Sequence, residues 1–270
     1  MVVPLMRTLS EDAVSQHTVV ITPSQAQSYS ICPYRYAKEE RRFDSSTPSQ
    51  DMGHWMHELI HEYNQAQIAG RDIDVDEIVL RRPPPLSLTE DRQGENRAIH
   101  LARSSVGGYR TFLDDIGAEL VRDAEHYVRT PPRAVVGVPG CRIVFSGRFD
   151  VTVERRDGSL VCIDVKSGTV LGQAQLAAAP SSFVYHHLVE YTYGNPAIDI
   201  VQFNPLLGKY GLVRLDDVRI QHGKEFCRSM AASIVAAQYR PIPGEYCAYC
   251  TLAPTCPAHE VRRPGWDTDF

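Results

Sequence analysis

Four cysteines near the two ends of the chain have the spacing of a metal-ligand set. Cys247, Cys250 and Cys256 follow a C-x2-C-x5-C spacing, and Cys32 lies near the other end. Short loops can direct three thiolates at one point, and a tetrahedral centre needs a fourth ligand, for which Cys32 is the candidate. A metal centre held by all four would join the two ends of the chain. Four unrelated buried thiols are the alternative interpretation, and the spacing alone does not exclude zinc.

A second group of reactive residues lies on a predicted β-hairpin. CRIVFSGRFDVTVE alternates apolar and polar residues from Cys141, an Asp-Gly turn signal follows, and LVCIDVKSG has the pattern of a second strand. With the turn at residues 156–158, Asp150 lies opposite Asp164, their Cβ atoms about 4.5–5.5 Å apart. Lys166 lies on the same face. Because facing carboxylates repel each other unless a cation lies between them, these residues predict a Mg²⁺ or Mn²⁺ site suited to phosphodiester hydrolysis.

A rival motif lies upstream, where residues 57–61 read HELIH. On a helix, His57 and His61 could bind zinc with Glu58 as the general base of a metalloprotease. No third histidine follows at the metzincin spacing, and the downstream candidates Glu77 and Glu90 have no supporting pattern. A protease would also leave the cysteines and the acidic hairpin without a role. We therefore treat the zinc metalloprotease as the weakest hypothesis.

The local patterns predict an alternation of helices and strands. Thr22-Pro23 is a helix-start signal, and the hairpin strand from Cys141 is expected to have one face in the core. Helices are predicted over residues 23–31, 34–41, 51–67, 172–191 with an interruption near Pro180, and 216–238. Residues 89–130 are predicted to form one or two long helices, with Gly107-Gly108 as the candidate break. Further strands are predicted over residues 197–203 and 210–215, and residues 44–50 and 70–87 are expected to be irregular.

Composition limits the class of protein. The chain has 270 residues, 43% of them hydrophobic, and a net charge of −5, so a broadly basic surface for coating nucleic acid is excluded. No apolar run is long enough for a membrane span, and the first residues lack the pattern of a secretory signal. Seven cysteines without an export signal favour a reducing, cytoplasmic location and argue against disulfides.

Together these residues resemble a known family. Asp150, Asp164 and Lys166 in the pattern D-x13-D-x-K, after a G-R-F-D strand, resemble the PD-(D/E)xK nuclease superfamily. More narrowly the chain is similar to the RecB-type branch, which includes the AddB nuclease domain and the CRISPR-associated adaptation exonucleases. The segment Gly53-x3-His57 resembles the histidine motif of that branch, and Gln175-Leu176 resembles the start of its QxxxY motif. The cysteine pattern resembles the iron–sulfur subset of the branch.

The resemblance implies a fold and a set of site residues. The fold class would be α/β, with a mixed central β-sheet flanked by helices and with the N- and C-terminal segments joined by the cluster. The implied divalent-metal ligands are His57, Asp150, Asp164 and the Val165 carbonyl, with Lys166 positioning the attacking water and Gln175 holding the lysine or the substrate. Cys32, Cys247, Cys250 and Cys256 would hold a four-iron, four-sulfur (4Fe-4S) cluster, with zinc as the alternative. The chain departs from the family pattern at two positions. Asp164 occupies a position where glutamate is commoner, and Ala179 occupies the tyrosine position of QxxxY. Tyr185 is the candidate substitute for that tyrosine.

These residues divide the chain into five expected segments of one integrated domain. Residues 1–21 would be a tail, residues 22–43 the first cluster-ligand segment, and residues 44–135 a helical insertion that carries the histidine motif. Residues 136–240 would be the nuclease core, and residues 241–270 the cysteine loop and tail.

The expected function is metal-dependent DNA hydrolysis by an exonuclease that acts on single strands or DNA ends. Tyr34 and Tyr36 are candidates to stack on bases near Arg35 and Arg41. No glycine-lysine loop of a nucleotide-driven motor is present, so unwinding would come from a partner such as a helicase, recombinase or integrase. The setting would be recombination, repair, phage DNA processing or spacer acquisition. The alternative is a non-catalytic DNA-binding subunit with the same fold.

Overall fold

The structure, a computed structural model, describes residues 17–38, 47–89, 92–194 and 197–258. The strands in these ranges are β1 (His17–Ile21), β2 (Ala118–Arg129), β3 (Arg133–Ala134), β4 (Cys141–Arg155), β5 (Leu160–Val165), β6 (Ile198–Asn204) and β7 (Lys209–Arg214). The α-helices are α1 (Pro23–Ile31), α2 (Pro33–Lys38), α3 (Pro48–Ile68), α4 (Val75–Arg81), α5 (Arg92–Asp115), α6 (Gln173–Ala178), α7 (Pro180–Tyr193) and α8 (Asp217–Val235). Short 3₁₀ helices cover Leu86–Leu88, Glu245–Tyr249 and Ala253–Thr255.

The strands form one mixed sheet around the long strand β4. The first part of β4 pairs with β1 in parallel and with β3 in antiparallel orientation, and its second part pairs antiparallel with β2 and β5. The sheet continues through β6, which is parallel to β5, to β7 at the edge. The fold is therefore α/β with a mixed central sheet, as expected.

The predicted hairpin and its register are confirmed. Val151 pairs with Ile163 and Glu154 with Leu160, so Asp150 and Asp164 form the next opposed pair. The Ser159 carbonyl accepts from the Arg155 N–H at 2.9 Å, as the predicted turn requires. The register follows from the short turn, because an Asp-Gly turn of this length fixes which residues face each other.

Two apolar cores hold helices on the two faces of the sheet. One core packs α3, α4 and α5 against valine, isoleucine and phenylalanine side chains of β4, β5 and β6. The other core packs α1, α7 and α8 against the opposite face. The expectation that β4 has only one buried face is therefore wrong, since Ser146 and Thr152 on its polar side are also buried. Helices on both faces exclude water from both sides of a central strand.

Three further secondary-structure predictions need correction. Residues 70–87, expected to be irregular, contain α4, which Asp74 caps and which buries Ile78 and Val79. The helical region predicted over residues 89–130 is one helix without a break at Gly107-Gly108. It ends at Asp115, and residues 118–129 form β2 within the segment expected to be a helical insertion. The sequence AELVRDAEHYVR contains strong helix formers, but pairing with β4 along its length overrides that local preference. Residues 17–21, expected to belong to a tail, form β1, which buries Val19 and Ile21 against the sheet.

The predicted helix starts are mostly confirmed. Thr22 caps α1 in a capping box with Gln25, and Pro23 takes the first helical position. The same Thr-Pro signal at Thr47 starts α3 three residues earlier than expected, so residues 48–50 are helical. Within the described ranges, none of the helices combines the length and apolar character that a membrane span requires.

Candidate active site

Polar side chains form a row across four neighbouring strands. Glu125 on β2 lies opposite Asp150 on β4, because the pairs on either side of them are Ala124 with Val151 and His126 with Phe149. Asp150 in turn lies opposite Asp164 on β5, and Asp164 pairs with Gln202 on β6. Neighbouring strands lie about 4.8 Å apart, so the row brings three carboxylates and an amide together on one face.

Asp150 is the central carboxylate of the row. Its Oδ2 accepts a hydrogen bond from the Val165 N–H at 2.8 Å and lies 3.7 Å from His57 Nδ1. Burial, followed by the negative charge of Asp164, raises the pKa of Asp150 to about 7. Burial also lowers the pKa of His57, which favours the neutral imidazole that a metal ligand requires. The expected ligand role of the Val165 carbonyl stays a prediction.

Asp164 is buried and held by three donors. Lys166 Nζ lies 2.9 Å from its Oδ2, and Gln202 Nε2 donates to the same oxygen at 3.3 Å. Tyr185 donates its hydroxyl to Oδ1 at 3.2 Å, and burial together with Asp164 raises the Tyr185 pKa well above its usual range. The phenol therefore stays a neutral donor. Both oxygens of Asp164 thus accept hydrogen bonds from protein groups. Lys166 is partly in contact with solvent, since 41% of the Lys166 side chain is exposed.

Glu125 was missed by the sequence analysis. One ligand atom each from His57, Glu125 and Asp150 lies within 4.8 Å of the other two, which makes this the one such group among the described residues. Glu125 has a φ of 57°, and its Oε2 lies 2.6 Å from Arg148 Nε. Two carboxylates and an imidazole suit Mg²⁺ or Mn²⁺, so the residues present fit a divalent cation. Glu125 could have been found from the sequence only if residues 118–129 had been predicted to form a strand. The local pattern of these residues is not that of a strand.

Gly53 gives a physical reason for the Gly53-x3-His57 motif. A Cβ atom at Gly53 would lie 2.6 Å from Ser167 Oγ and 3.0 Å from Ser167 Cβ. Helix α3 therefore packs directly against the residue after Lys166 only because position 53 has no side chain. His57 follows Gly53 by one helical turn, so this close packing also brings His57 to the sheet.

Two cavities lie on either side of the carboxylates. One of about 530 Å³ is lined by His54, His57, Glu58, His61, Arg82, Glu125 and Arg148. The other, of about 330 Å³, is lined by Asp164, Lys166, Tyr185, Gln202, Thr169, Leu171 and residues of α1 and α7. Cavities therefore adjoin the acids on both the histidine side and the lysine side.

Gln175 lies away from this site. Its Oε1 accepts from the Gly172 N–H at 3.1 Å and so caps α6, and its side chain is exposed. The side chain that contacts Asp164 is instead Gln202, whose Oε1 also accepts from the Leu171 N–H at 3.1 Å.

The tyrosine position of the QxxxY motif is occupied by Ala179, which is buried. Tyr185, named as its candidate substitute, donates a hydrogen bond to Asp164 from α7.

The four cysteines line a single small cavity. Cys32, at the end of α1, lies there with Cys247, Cys250 and Cys256 from the C-terminal loop. The Ile242 N–H donates to Cys32 Sγ at 3.5 Å, and the Gly244 N–H donates to Cys247 Sγ at 3.3 Å. The two ends of the described chain therefore meet at these sulfurs. No three of the sulfurs lie within 4.8 Å of one another.

The residues expected to contact DNA lie near the cysteines or outside the described residues. Tyr34 and Arg35 line the cysteine cavity. Tyr36 packs edge-on against Tyr29, with ring centroids 5.5 Å apart. Arg41 lies outside the described residues. A base-stacking role for these residues stays a prediction.

The HExxH residues form no zinc site in the described part of the chain. His57 faces Asp150, and no group of three ligand atoms there includes His61 or Glu58. The Nδ1 atom of His61 is buried without a hydrogen-bond partner. The geometry thus favours the acidic row over a protease centre.

Comparison with known proteins gives one match that covers most of the chain. Residues 20–257 match the family model described as the PD-(D/E)XK nuclease superfamily. Among curated proteins, no significant match was found. Solved structures that match include the crystal structure of SSO0001, which is 13% identical, covers 84% of this chain and 93% of that chain, and has a TM-score of 0.33. That low similarity carries no weight for fold or function. The family match spans the histidine helix, the acidic hairpin and the cysteines, and the chain therefore belongs to the PD-(D/E)XK nuclease superfamily.

Proposed function

We propose that this protein is a metal-dependent DNA exonuclease that acts on single strands or DNA ends. Nucleases of this superfamily are phosphodiesterases that use Mg²⁺ or Mn²⁺ with acidic residues. The observation that carries the proposal is the position of Asp150, Asp164 and Lys166 on one face of the sheet, with His57 next to Asp150.

The roles follow from the contacts. A bound Mg²⁺ or Mn²⁺ would supply positive charge that offsets the phosphate and favours deprotonation of an attacking water. His57 and Asp150 are the residues that would hold it, and Asp164 is the further ligand that the family pattern implies. Lys166, fixed by Asp164 and partly exposed, would orient the water and take part in its proton transfer. Tyr185 and Gln202 hold Asp164 so that the lysine ammonium keeps its position.

The preference for DNA ends is supported by the resemblance to the RecB-type branch. A single strand would reach the acids through the cavity beside α3 or the cavity beside α1. A helicase, recombinase or integrase partner would supply unwound DNA in recombination, repair, phage DNA processing or spacer acquisition.

We also propose a 4Fe-4S cluster at the four cysteines. The proposal is supported by the cysteine pattern, which resembles the iron–sulfur subset of the RecB-type branch, and by the single cavity that all four cysteines line. Backbone N–H groups that donate to Cys32 and Cys247 suit thiolates. Anaerobically purified protein is expected to be brown and to contain iron, whereas colourless protein with stoichiometric zinc would exclude the cluster.

Nuclease assays on end-labelled DNA test the proposed activity. We expect Lys166→Ala and Asp164→Ala each to lower cleavage with Mg²⁺ or Mn²⁺ by at least about 100-fold, the lower range for a general acid–base residue. Thermal unfolding should stay cooperative, and Lys224→Ala on α8 serves as the matched lysine control. Full activity of Lys166→Ala would exclude the mechanism.

Substrate form tests the exonuclease assignment. Linear single strands labelled at the 5′ or 3′ end should be degraded from an end, while closed circles should resist. Cleavage of circles as fast as linear strands would indicate an endonuclease. Tight DNA binding without cleavage by iron-replete protein would favour the non-catalytic binding subunit.

A further inference from the structure

We propose that Glu125 is a further ligand of the metal centre, next to Asp150 and His57. This inference rests on the metal-dependent nuclease proposed above. It adds to the proposed metal site a ligand from β2, a strand that the family pattern does not mark.

Distances and register support this placement. The ligand atoms of His57, Glu125 and Asp150 lie within 4.8 Å of one another, which is the separation that a cation with oxygen and nitrogen ligands at about 2.1 Å can bridge after small side-chain movements. Glu125 and Asp150 are opposed across β2 and β4, and α3 brings His57 over them. The three residues come from three separate elements, so the tertiary fold, rather than one flexible loop, sets their spacing.

Asp164 is engaged on the other side. Its two oxygens accept from Lys166, Gln202 and Tyr185, three donors for the roughly four lone-pair sites of a carboxylate. Asp164 therefore connects the metal centre to Lys166. Glu125 and His57 are the groups close to Asp150 on its other side.

When no metal ion is bound, Glu125 forms an ion pair with Arg148. Its guanidinium lies 2.6 Å from Glu125 Oε2, and 61% of the Arg148 side chain is exposed. An exposed arginine can turn into solvent at little cost, which frees the carboxylate for a divalent ion. Glu125 itself has a φ of 57°, and non-glycine residues in this region are uncommon and cluster at functional sites.

Two variants that break the same ion pair from opposite ends test the proposal. Mn²⁺ binding to the cluster-loaded protein is measured by titration calorimetry and by the loss of the free Mn²⁺ paramagnetic resonance signal. We expect Glu125→Gln to weaken Mn²⁺ binding by at least about tenfold, because it removes a charged ligand. Arg148→Gln should bind Mn²⁺ as tightly as the unaltered protein or more tightly, because it removes a competing cation. Glu154→Gln, which breaks a surface pair with Arg122, is the control.

Each outcome decides the question. Unchanged Mn²⁺ affinity in Glu125→Gln would overturn the proposal, and so would equal weakening by Glu125→Gln and Arg148→Gln, which would assign the pair a structural role. If Glu125→Gln fails to fold, Glu125→Gly is the second variant, because glycine accepts the φ of 57° at this position and also removes the carboxylate. Unchanged affinity there would equally overturn the proposal. Binding is measured without DNA, so a protein that binds Mn²⁺ through Glu125 but cleaves nothing would refute the proposed nuclease and leave this inference standing.

Discussion

Asp150 and Asp164 illustrate how two opposed acids acquire different roles from their neighbours. Asp150 lies close to His57 and Glu125. Burial, followed by repulsion from Asp164, raises its pKa, and a bound cation would offset both effects. Asp164 is surrounded by donors, among them Tyr185 from α7. A hydroxyl donor on Oδ1 leaves the other oxygen for the Lys166 ammonium, so Tyr185 fixes the geometry of the lysine without contacting the reacting atoms.

The role of Tyr185 can be tested by removing one oxygen. We expect Tyr185→Phe to keep the fold and to lower kcat by about tenfold with little change in KM, because Lys166 loses its fixed partner only in the chemical step. Steady-state kinetics on a single-stranded substrate checks this. Tyr191→Phe on the same helix, where the ring is 46% exposed, is the matched control. A wild-type kcat in Tyr185→Phe would show that the hydrogen bond does not position the acid.

Among the secondary-structure elements, α3 sets the distance between His57 and the β4–β5 hairpin. The helix packs on the sheet through Trp55, Met56, Leu59 and Ile60, and it lies against Ser167 at Gly53. This contact couples the histidine helix to the end of the lysine strand. A wider separation would move His57 away from Asp150 and Lys166 together.

A Gly53→Ala substitution should therefore impair activity and leave the fold intact. The added methyl group would meet Ser167 Oγ at 2.6 Å, so we expect a loss of about tenfold or more in kcat/KM, because misplacement of catalytic groups by a fraction of an ångström is costly. Ser167→Gly in the same chain should restore much of the activity. Gly108→Ala on α5 is the control, since nothing lies within 4 Å of that position. Equal activity of Gly53→Ala and Gly108→Ala would contradict the argument.

In the whole molecule, the cysteine cavity joins the first helix of the chain to its last described segment. Cys32 ends α1, which packs against α7, and the C-terminal loop follows α8. A group bound by all four sulfurs would therefore restrain almost the full length of the chain in the unfolded state. Its binding free energy would also be folding free energy.

Removal of one cluster ligand should reduce stability as well as metal content. We expect Cys32→Ser to lose most of its iron and to unfold at a lower temperature, by roughly 6–12 °C if about 3 kcal/mol of cross-link stabilisation is lost. Iron assay, visible absorbance and thermal unfolding measured under anaerobic conditions check both effects. Cys141→Ala, at a buried cysteine on β4 away from the cavity, should keep its iron. Retention of full iron content in Cys32→Ser would exclude Cys32 as a ligand.

Short-range patterns in the sequence were enough to predict several features of this protein. The Asp-Gly turn fixed the hairpin register, and so placed Asp150, Asp164 and Lys166 together. The Thr-Pro signals marked helix starts, and the cysteine spacing marked residues that line one cavity. These features are local because a tight turn or a cap involves only a few neighbouring residues.

Other features depend on contacts between residues that are far apart in the sequence, and these became visible only in the folded protein. The sequence of β2 favours a helix, and only its ladder with β4 makes it a strand, which brings Glu125 opposite Asp150. Gln202 and Tyr185 reach Asp164 from β6 and α7, whereas Gln175, which matched a sequence motif, caps its own helix. The side chains that complete a site across a sheet are chosen by strand order and helix packing, and no local pattern records which strands will be neighbours.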